Sequence, residues 1–439
     1  MMKGWRLKKF LWGVVTAVGL SALAAPCAAE PIPFHRVIEL ALQRGGVLAI
    51  SAANQQKARE VYQQARAAYF PTIVFGSGLG YTYGIPPTLA GSAPSIFSIS
   101  SQQALLNFAQ QDLVRAAKNE WKSAGLDVAD KRSAVILDAA ATYMELDNAM
   151  RQLKVLTESA QTANRAEFIT RQRLKEGLDS QLDLKKSQLN VARVNMRIAD
   201  VQSAADVARQ HLSALTGLPQ ESIETASDSI PSTPAIQQEE NLAAQAAQNN
   251  PAVRLAEQKV VTAQWRARAE NRALYPSIDF ATQYQRLSNT INNYQQYFRA
   301  FTPNSLAVGI SIRFPISDFA QHARANAAMA ELLRVRKEAA LLRSQVEENT
   351  LKTQRSLRRL AAATDVARLE YEVAQAGIES VSARLATGEA NVRDRENAQL
   401  DASNRYSSYL DSQLALSRAG LELMRQTGEL DAWALPAKP

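Results

Sequence analysis

Few residues in this chain of 439 are placed to do covalent chemistry. The three histidines, His35, His211 and His322, stand far apart, and none has a second ligand or carboxylate at metal spacing. Cys27 is the single cysteine. Gly76-Ser77-Gly78-Leu79-Gly80 superficially suggests a phosphate-cradling loop, but no helix follows it and no Walker lysine occurs. Catalytic, cofactor-binding and metal-ligating residues are therefore expected to be absent, and the chain offers no site for nucleotide hydrolysis. What remains is electrostatic. Asp183 recurs 211 positions on as Asp394, and Arg393 and Arg395 flank the second copy. Such residues pair with opposite charge or attract small cations.

The elements that carry them are duplicated. Ala65-Arg66-Ala67-Ala68-Tyr69-Phe70-Pro71-Thr72-Ile73 returns as Glu270-Asn271-Arg272-Ala273-Leu274-Tyr275-Pro276-Ser277-Ile278, an offset of 205. Asn107-Phe108-Ala109-Gln110 returns as Asp318-Phe319-Ala320-Gln321 at 211, as does Arg173-Leu174-x-x-Gly177 as Arg384-Leu385-x-x-Gly388. Thr216-Gly217 and Thr427-Gly428 close the halves in the same register. The offset changes once, by six residues, between each pair of strands, so a unit of about two hundred residues with one variable loop organises the chain.

The first 29 residues read as a secretory signal. Lys3, Arg6, Lys8 and Lys9 form the positive region and Phe10 to Leu23 an apolar core of about 14 residues, short of the ~20 a spanning helix needs. Cleavage before Glu30 leaves no cysteine and lowers the net charge from +8 to +4. Acylation of Cys27 would require a small residue where Pro26 stands. The remaining charge is interspersed, which gives a nucleic-acid partner no support. Beyond Leu23 no apolar run is long enough for a membrane helix, so an exported chain of this kind crosses a membrane only as strands.

Four segments alternate with period two. Leu306, Val308, Ile310, Ile312 and Phe314 oppose Ser305, Ala307, Gly309, Ser311 and Arg313. Ile278, Phe280, Thr282 and Tyr284 oppose Asp279, Ala281, Gln283 and Gln285. Ile73, Phe75, Leu79, Tyr81 and Tyr83 oppose Val74, Gly76, Gly78 and Gly80, and Phe97, Ile99 and Leu105 oppose Ser98, Ser100 and Gln102. One apolar and one small or polar face fits a lipid-facing barrel strand. Tyr81, Tyr83, Tyr284, Tyr294, Tyr297 and Phe298 near the connecting loops suit a membrane interface.

Everything else reads as helix. From about residue 109 to 176, and from 320 to 387, there is no proline, and each run ends at a repeated glycine, Gly177 or Gly388. Leu184, Val191, Ile198, Ala205 and Leu212 stand seven apart, with Val194, Val201, Ala208 and Leu215 three residues after the last four. Val366, Leu369, Val373 and Ala376 repeat this spacing in the second half, so both stripes are expected to be seams between helices. The division expected is a signal at 1–29 and a first repeat at 30–219, with strands at about 71–83 and 95–107 and helices at about 109–176 and 178–216. A linker at 220–240 follows. The second repeat, 241–430, has strands at about 276–287 and 305–316 and helices at about 320–387 and 391–427, and 431–439 is a tail.

Four strands cannot close a barrel, so other copies must complete it, two giving eight strands or three giving twelve. The sequence resembles the TolC-like outer membrane efflux proteins over residues 30 to 430. The marks are Leu274-Tyr275-Pro276-Ser277-Ile278 before a strand, Asp318-Phe319 after one, the two Arg-Leu-x-x-Gly tips, and Leu215-Thr216-Gly217-Leu218-Pro219. The resemblance implies a mainly α homotrimer with a 12-stranded outer-membrane β-barrel and a periplasmic α-helical tunnel. It also implies a passive exit duct, for efflux or type I secretion, fed by a periplasmic adaptor and a proton- or ATP-driven inner-membrane pump. A periplasmic adaptor with coiled-coil hairpins is the competing reading, but adaptors usually carry one hairpin between compact β-domains rather than two alternating ones. Drugs, metals and secreted proteins all pass through this family's channels, and nothing in the sequence chooses among them.

By the same resemblance, Leu174, Lys175, Gly177, Leu178, Leu385, Thr387, Gly388 and Glu389 form the periplasmic tips that an adaptor contacts. Asp394 falls where the family carries an acid lining the closed periplasmic aperture, and Asn397 stands where a second acid is frequent. Asp183 resembles the position of a latch residue, and Arg393 and Arg395 are expected to pair with acids of neighbouring hairpins.

Overall fold

The computed structural model describes residues 31–78, 95–232, 241–287 and 302–435. The signal region, the loop aromatics Tyr81, Tyr83, Tyr294, Tyr297 and Phe298, and most of both strand-connecting loops lie outside the described residues.

The two halves are built from the same elements in the same order, and their three longer helices match in length. In the first, α1 (Phe34–Arg44) and the 22-residue α2 (Gly46–Ala67) lead into β1 (Thr72–Gly78) and β2 (Ser95–Leu106). The 68-residue α3 (Phe108–Lys175) and the 36-residue α4 (Gln181–Thr216) follow. The second half repeats this with α5 (Leu242–Asn249), the 22-residue α6 (Pro251–Arg272), β3 (Ser277–Leu287) and β4 (Asn304–Arg313). It ends with the 68-residue α7 (Phe319–Ala386), the 36-residue α8 (Val392–Thr427) and a short α9 (Leu430–Ala434). At 1.5 Å per residue, α3 and α7 are each about 100 Å long. No described helix is long and apolar enough to cross a membrane.

The repeated motifs perform repeated tasks. Asn107 and Asp318 cap α3 and α7, each accepting the backbone N–H three residues on, at 3.0 and 2.8 Å. Gln110 Nε2 donates to the Ala65 carbonyl near the end of α2, and Gln321 Nε2 donates to the Glu270 carbonyl near the end of α6, both at 2.8 Å. Each glutamine thus ties a long helix to the short one that enters the same strand pair. Gly217 and Gly428 end α4 and α8 with φ of 71° and 81°, a backbone that other residues adopt at a cost.

The four strands form one antiparallel sheet in the order β1-β2-β3-β4. Register aligns Phe75, Ile99, Tyr284 and Leu306 in one row across it, and Gly76, Ser98, Gln285 and Ser305 in a row on the other face. Ile73, Phe75, Leu306, Val308, Ile310 and Ile312 are all exposed. Periodicity had placed Leu105 with Phe97 and Ile99. A bulge between Ala104 and Leu106 breaks the alternation, and Leu106 pairs with Ile278 instead. A bulge inserts one residue and resets the faces, which no period-two pattern anticipates.

The main core lies midway along the helices. Phe34, Val37 and Ile38 of α1 pack on Ile136, Ala139, Ala140 and Tyr143 of α3, on Leu212 of α4 and on Leu430 and Ala434 of α9. Tyr143 is fully buried; its hydroxyl donates to the Ile32 carbonyl and accepts the Ala226 N–H, both at 2.7 Å. The segment after Pro219 is thereby fastened to α3, with Asp147 accepting from Thr225 and Ser227. Residues 431–435 belong to this core rather than hanging as a tail. Trp433 packs edge-on against Phe34 and donates to the Ser232 carbonyl, and Arg132 meets Asp431 at 2.9 Å.

The two heptad stripes fare differently. Leu184, Ala205, Ala208 and Leu212 are buried within the chain, whereas Val366, Leu369 and Val373 are more than half exposed. The second stripe lines an open groove with Ala398, Asp401 and Arg405 of α8, so within the chain only the first is a closed seam.

Candidate functional site at the hairpin tips

Both long helices end in the same turn. Gly177 (φ 73°) and Gly388 (φ 81°) sit in the left-handed region. Leu178 N–H donates to the Arg173 carbonyl and Glu389 N–H to the Arg384 carbonyl, each at 2.8 Å. These bonds satisfy the last carbonyls of α3 and α7 and reverse the chain. At the tips Lys175, Leu178, Thr387 and Glu389 are exposed, and Leu174 and Leu385 are half-buried beneath them.

The return helices start with matching capping boxes. Asp183 accepts the Ser180 N–H at 3.2 Å, while its own N–H donates to Ser180 Oγ at 3.2 Å. Asp394 and Asn391 exchange the same two bonds at 3.0 Å each. A carboxylate three residues after the cap satisfies two orphan donors and favours the positive helix end. Asp394 is otherwise exposed, and within the described chain its bonds are those of a helix cap.

Asp183 has a second bond. Arg393 Nη2 donates to Asp183 Oδ1 at 2.8 Å, joining the start of α8 to the start of α4. The Ser180 hydroxyl, and after it the Arg393 guanidinium, hold the Asp183 carboxyl down to about 2, so it is ionised at any pH near neutrality. Asn397 lines the same cleft of about 230 Å³ as Asp183 and Arg393, together with Lys186, Asn190 and Arg193. Of the sequence candidates, then, Asp183, Arg393 and Asn397 come together, and Asp394 and Arg395 do not line that cleft.

Glu396 was missed by the sequence reading. It is 3% exposed, and its Oε1 has no hydrogen-bond partner. Burial pushes its carboxyl up, against the pull of Arg395 and Arg165. Its place beside Asp394 and Arg395 was visible, but in a helix this polar nothing in the spacing marks one acid as inward-facing.

The remaining candidates for chemistry stand apart. His211 Nε2 lies 3.0 Å from Asp138 on an exposed face, and His35 and His322 are also exposed. Among the described residues no group of three or more His, Cys, Asp or Glu is placed to hold a metal.

Two long helical hairpins, tip turns with matching caps and a four-stranded sheet with two open edges define the geometry. Residues 37–218 match the family described as "Outer membrane efflux protein". The likeness to this family is carried by that segment. The family match falls on the first repeat, and the second repeat carries the same elements in the same order. No curated protein matches the sequence. Among solved structures, the CmeC outer membrane channel of Campylobacter jejuni aligns with a TM-score of 0.76 at 13% identity, covering 90% of this chain and 85% of that one. A CusC structure, from work on folding and transmembrane channel formation, aligns at 0.75 with 16% identity, covering 90% and 92%. The open state of the Neisseria gonorrhoeae MtrE outer membrane channel aligns at 0.72 with 16% identity, covering 91% and 89%. At such identities the likeness is one of fold. It extends over both repeats, so the chain has the mainly helical, TolC-like fold along its length.

Proposed function

We propose that this protein is the outer-membrane exit duct of a tripartite efflux or type I secretion system. Three copies would close a 12-stranded barrel and continue it as a periplasmic helical tunnel. The observation that carries this is the sheet: its outward row is apolar and exposed, and β1 and β4 each have a free edge. Unpaired backbone in lipid costs several kcal/mol per group, so such a sheet is stable in a membrane only when copies close it. The exposed stripe Val366, Leu369 and Val373 supports the same assembly, as a face for the neighbouring copy.

In this reading the repeats at 30–219 and 241–430 alternate around the tunnel, with 220–240 at its equator. An adaptor bound to a proton- or ATP-driven pump meets Leu174, Lys175, Gly177, Leu178, Leu385, Thr387, Gly388 and Glu389. The Asp183–Arg393 pair holds adjacent hairpins together near the aperture, while Asp394, Arg395 and Asn397 set its charge. The protein conducts passively and does no catalysis. The test is native mass measurement of detergent-extracted protein followed by planar-bilayer recording. Three copies and single-channel conductance are expected. A monomer that inserts and conducts, or a trimer that never conducts, overturns the reading.

A further inference from the structure

Beneath the sheet, three arginines share one acid. Asp112, fully buried near the start of α3, accepts a hydrogen bond from Arg115 at 2.9 Å. Its other oxygen lies 3.1 Å from Arg272 Nη1 and 3.3 Å from Arg268 Nε, both on α6. The Trp265 ring is flanked by Arg115 at 5.0 Å and Arg268 at 5.3 Å. Tyr69 is close enough that Arg115 and Asp112 both act on its hydroxyl, which is buried without a hydrogen-bond partner. Three guanidinium groups and a phenol offer far more donors than one carboxylate can accept. The cluster keeps a surplus of positive charge, and the Arg115 and Arg268 side chains are about half exposed.

Its position has a side and a depth. Leu113, Glu120 and Arg266 line a groove of about 850 Å³ between α2, α3, α6 and α7. Two residues along a helix are roughly 200° of rotation. Arg115, two after Leu113, and Arg268, two after Arg266, therefore face away from that concave side, toward what the channel reading above makes the outside of the closed tunnel. Arg272 is the last residue of α6 and β3 begins at Ser277, while Arg268 lies about 6 Å further down the helix. The exposed Phe70, Tyr275 and Phe319 mark the strand feet, where aromatic side chains meet a membrane interface. Headgroups extend about 5–7 Å beyond the hydrocarbon on each side.

We propose that Arg115, Arg268 and Arg272 form a binding surface for the phosphate of an anionic phospholipid in the periplasmic leaflet. Asp112 and Trp265 hold the guanidinium groups apart and aimed outward, so a phosphodiester accepts the donors that Asp112 leaves over. A zwitterionic lipid, whose own ammonium neutralises its phosphate, fits less well. The inference rests on the outer-membrane reading above.

The experiment is native mass spectrometry of the detergent-extracted protein titrated with phosphatidylglycerol or phosphatidylethanolamine. Retention of phosphatidylglycerol is expected to be roughly tenfold higher, a preference of about 1.4 kcal/mol. The R115Q/R268Q variant should lose that preference; R115K/R268K should keep most of it, and R266Q, on the concave side, should keep all of it. Equal retention of the two lipids by the unmodified protein overturns the proposal, even if a variant does not fold. So does loss of preference in R266Q equal to that in R115Q/R268Q, or displacement of the lipid by millimolar inorganic phosphate, which would mark a general anion site. Failure to insert into vesicles of either lipid would count against the channel reading; insertion without preference counts against this inference alone.

Discussion

Arg393 donates to Asp183 across 210 positions of sequence, and this 2.8 Å bond links the bases of the two tip turns. Removing it with Arg393→Ala leaves both capping boxes intact and should raise mean conductance or open probability in planar bilayers. The exchange Asp183→Arg with Arg393→Asp should restore closure in part, although it sacrifices the Ser180 cap. Unchanged conductance in Arg393→Ala would mean that the tips are held by other contacts.

The same carboxylate sets a pH expectation. Asp183 is lowered from 3.8 to about 2, so the stability it contributes is fully present above pH 4 and is lost only as pH falls through about 2. Closure that depends on this pair should not change between pH 5 and 8. A steep rise in conductance within that window that persists in Arg393→Ala would assign the response to another group.

Glu396 has the opposite sign. Its carboxyl is raised by burial, so the folded tip is favoured by protonation, and that contribution is lost as pH rises through its shifted value. Glu396→Gln should raise the melting temperature at pH 7 and flatten its dependence on pH in the mildly acidic range. An equal or lower melting temperature would show that Oε1 has a partner in the assembled protein.

The paired glutamines should differ in cost. Gln321 is nearly buried and bonds both the Glu270 carbonyl and its carboxylate, each at 2.8 Å, whereas Gln110 bonds the Ala65 carbonyl alone. Gln321→Ala should destabilise by about 2 kcal/mol and Gln110→Ala by about 1 kcal/mol. Thermal dissociation of the oligomer would rank them, and the reverse order would place the weight of the strand entry on the first repeat.

At Gly177 and Gly388 a Cβ would meet nothing within 4 Å, so any penalty comes from the backbone alone. Gly388→Ala should cost about 1–2 kcal/mol locally and leave assembly intact. Gly388→Val, bulky and β-branched, should abolish export while the protein still reaches the membrane. Normal export with valine at both tips would remove the tips from adaptor docking.

Much of the fold is legible in the residues because its signals are local. Alternation at Leu306–Phe314, the proline-free runs and the paired glycines each act within a few turns of chain. The bulge at Leu105 was not legible because it is one irregular residue inside a regular pattern. Val366, Leu369 and Val373 read as a seam, but the spacing does not say that the chain leaves them more than half exposed. At the tips, the signature Ser180-x-x-Asp183 and Asn391-x-x-Asp394 announces helix caps, and the resemblance drew attention to the same acids for a different reason. The Arg393–Asp183 bond depends on how two hairpins lie side by side, which no spacing along one chain encodes.

The free edges of β1 and β4 have a kinetic consequence. A lone chain presents two rows of unsatisfied backbone and an apolar sheet face at once, so it is at greatest risk between export and assembly. In the proposed assembly, barrel closure needs an encounter of several chains, and its rate must rise more steeply than linearly with their concentration. At low expression the edges stay open longer, and strand pairing with unrelated chains competes with the proper neighbour. On the proposed function, the amount of closed channel in a cell is then set by how quickly copies meet as well as by how many are made.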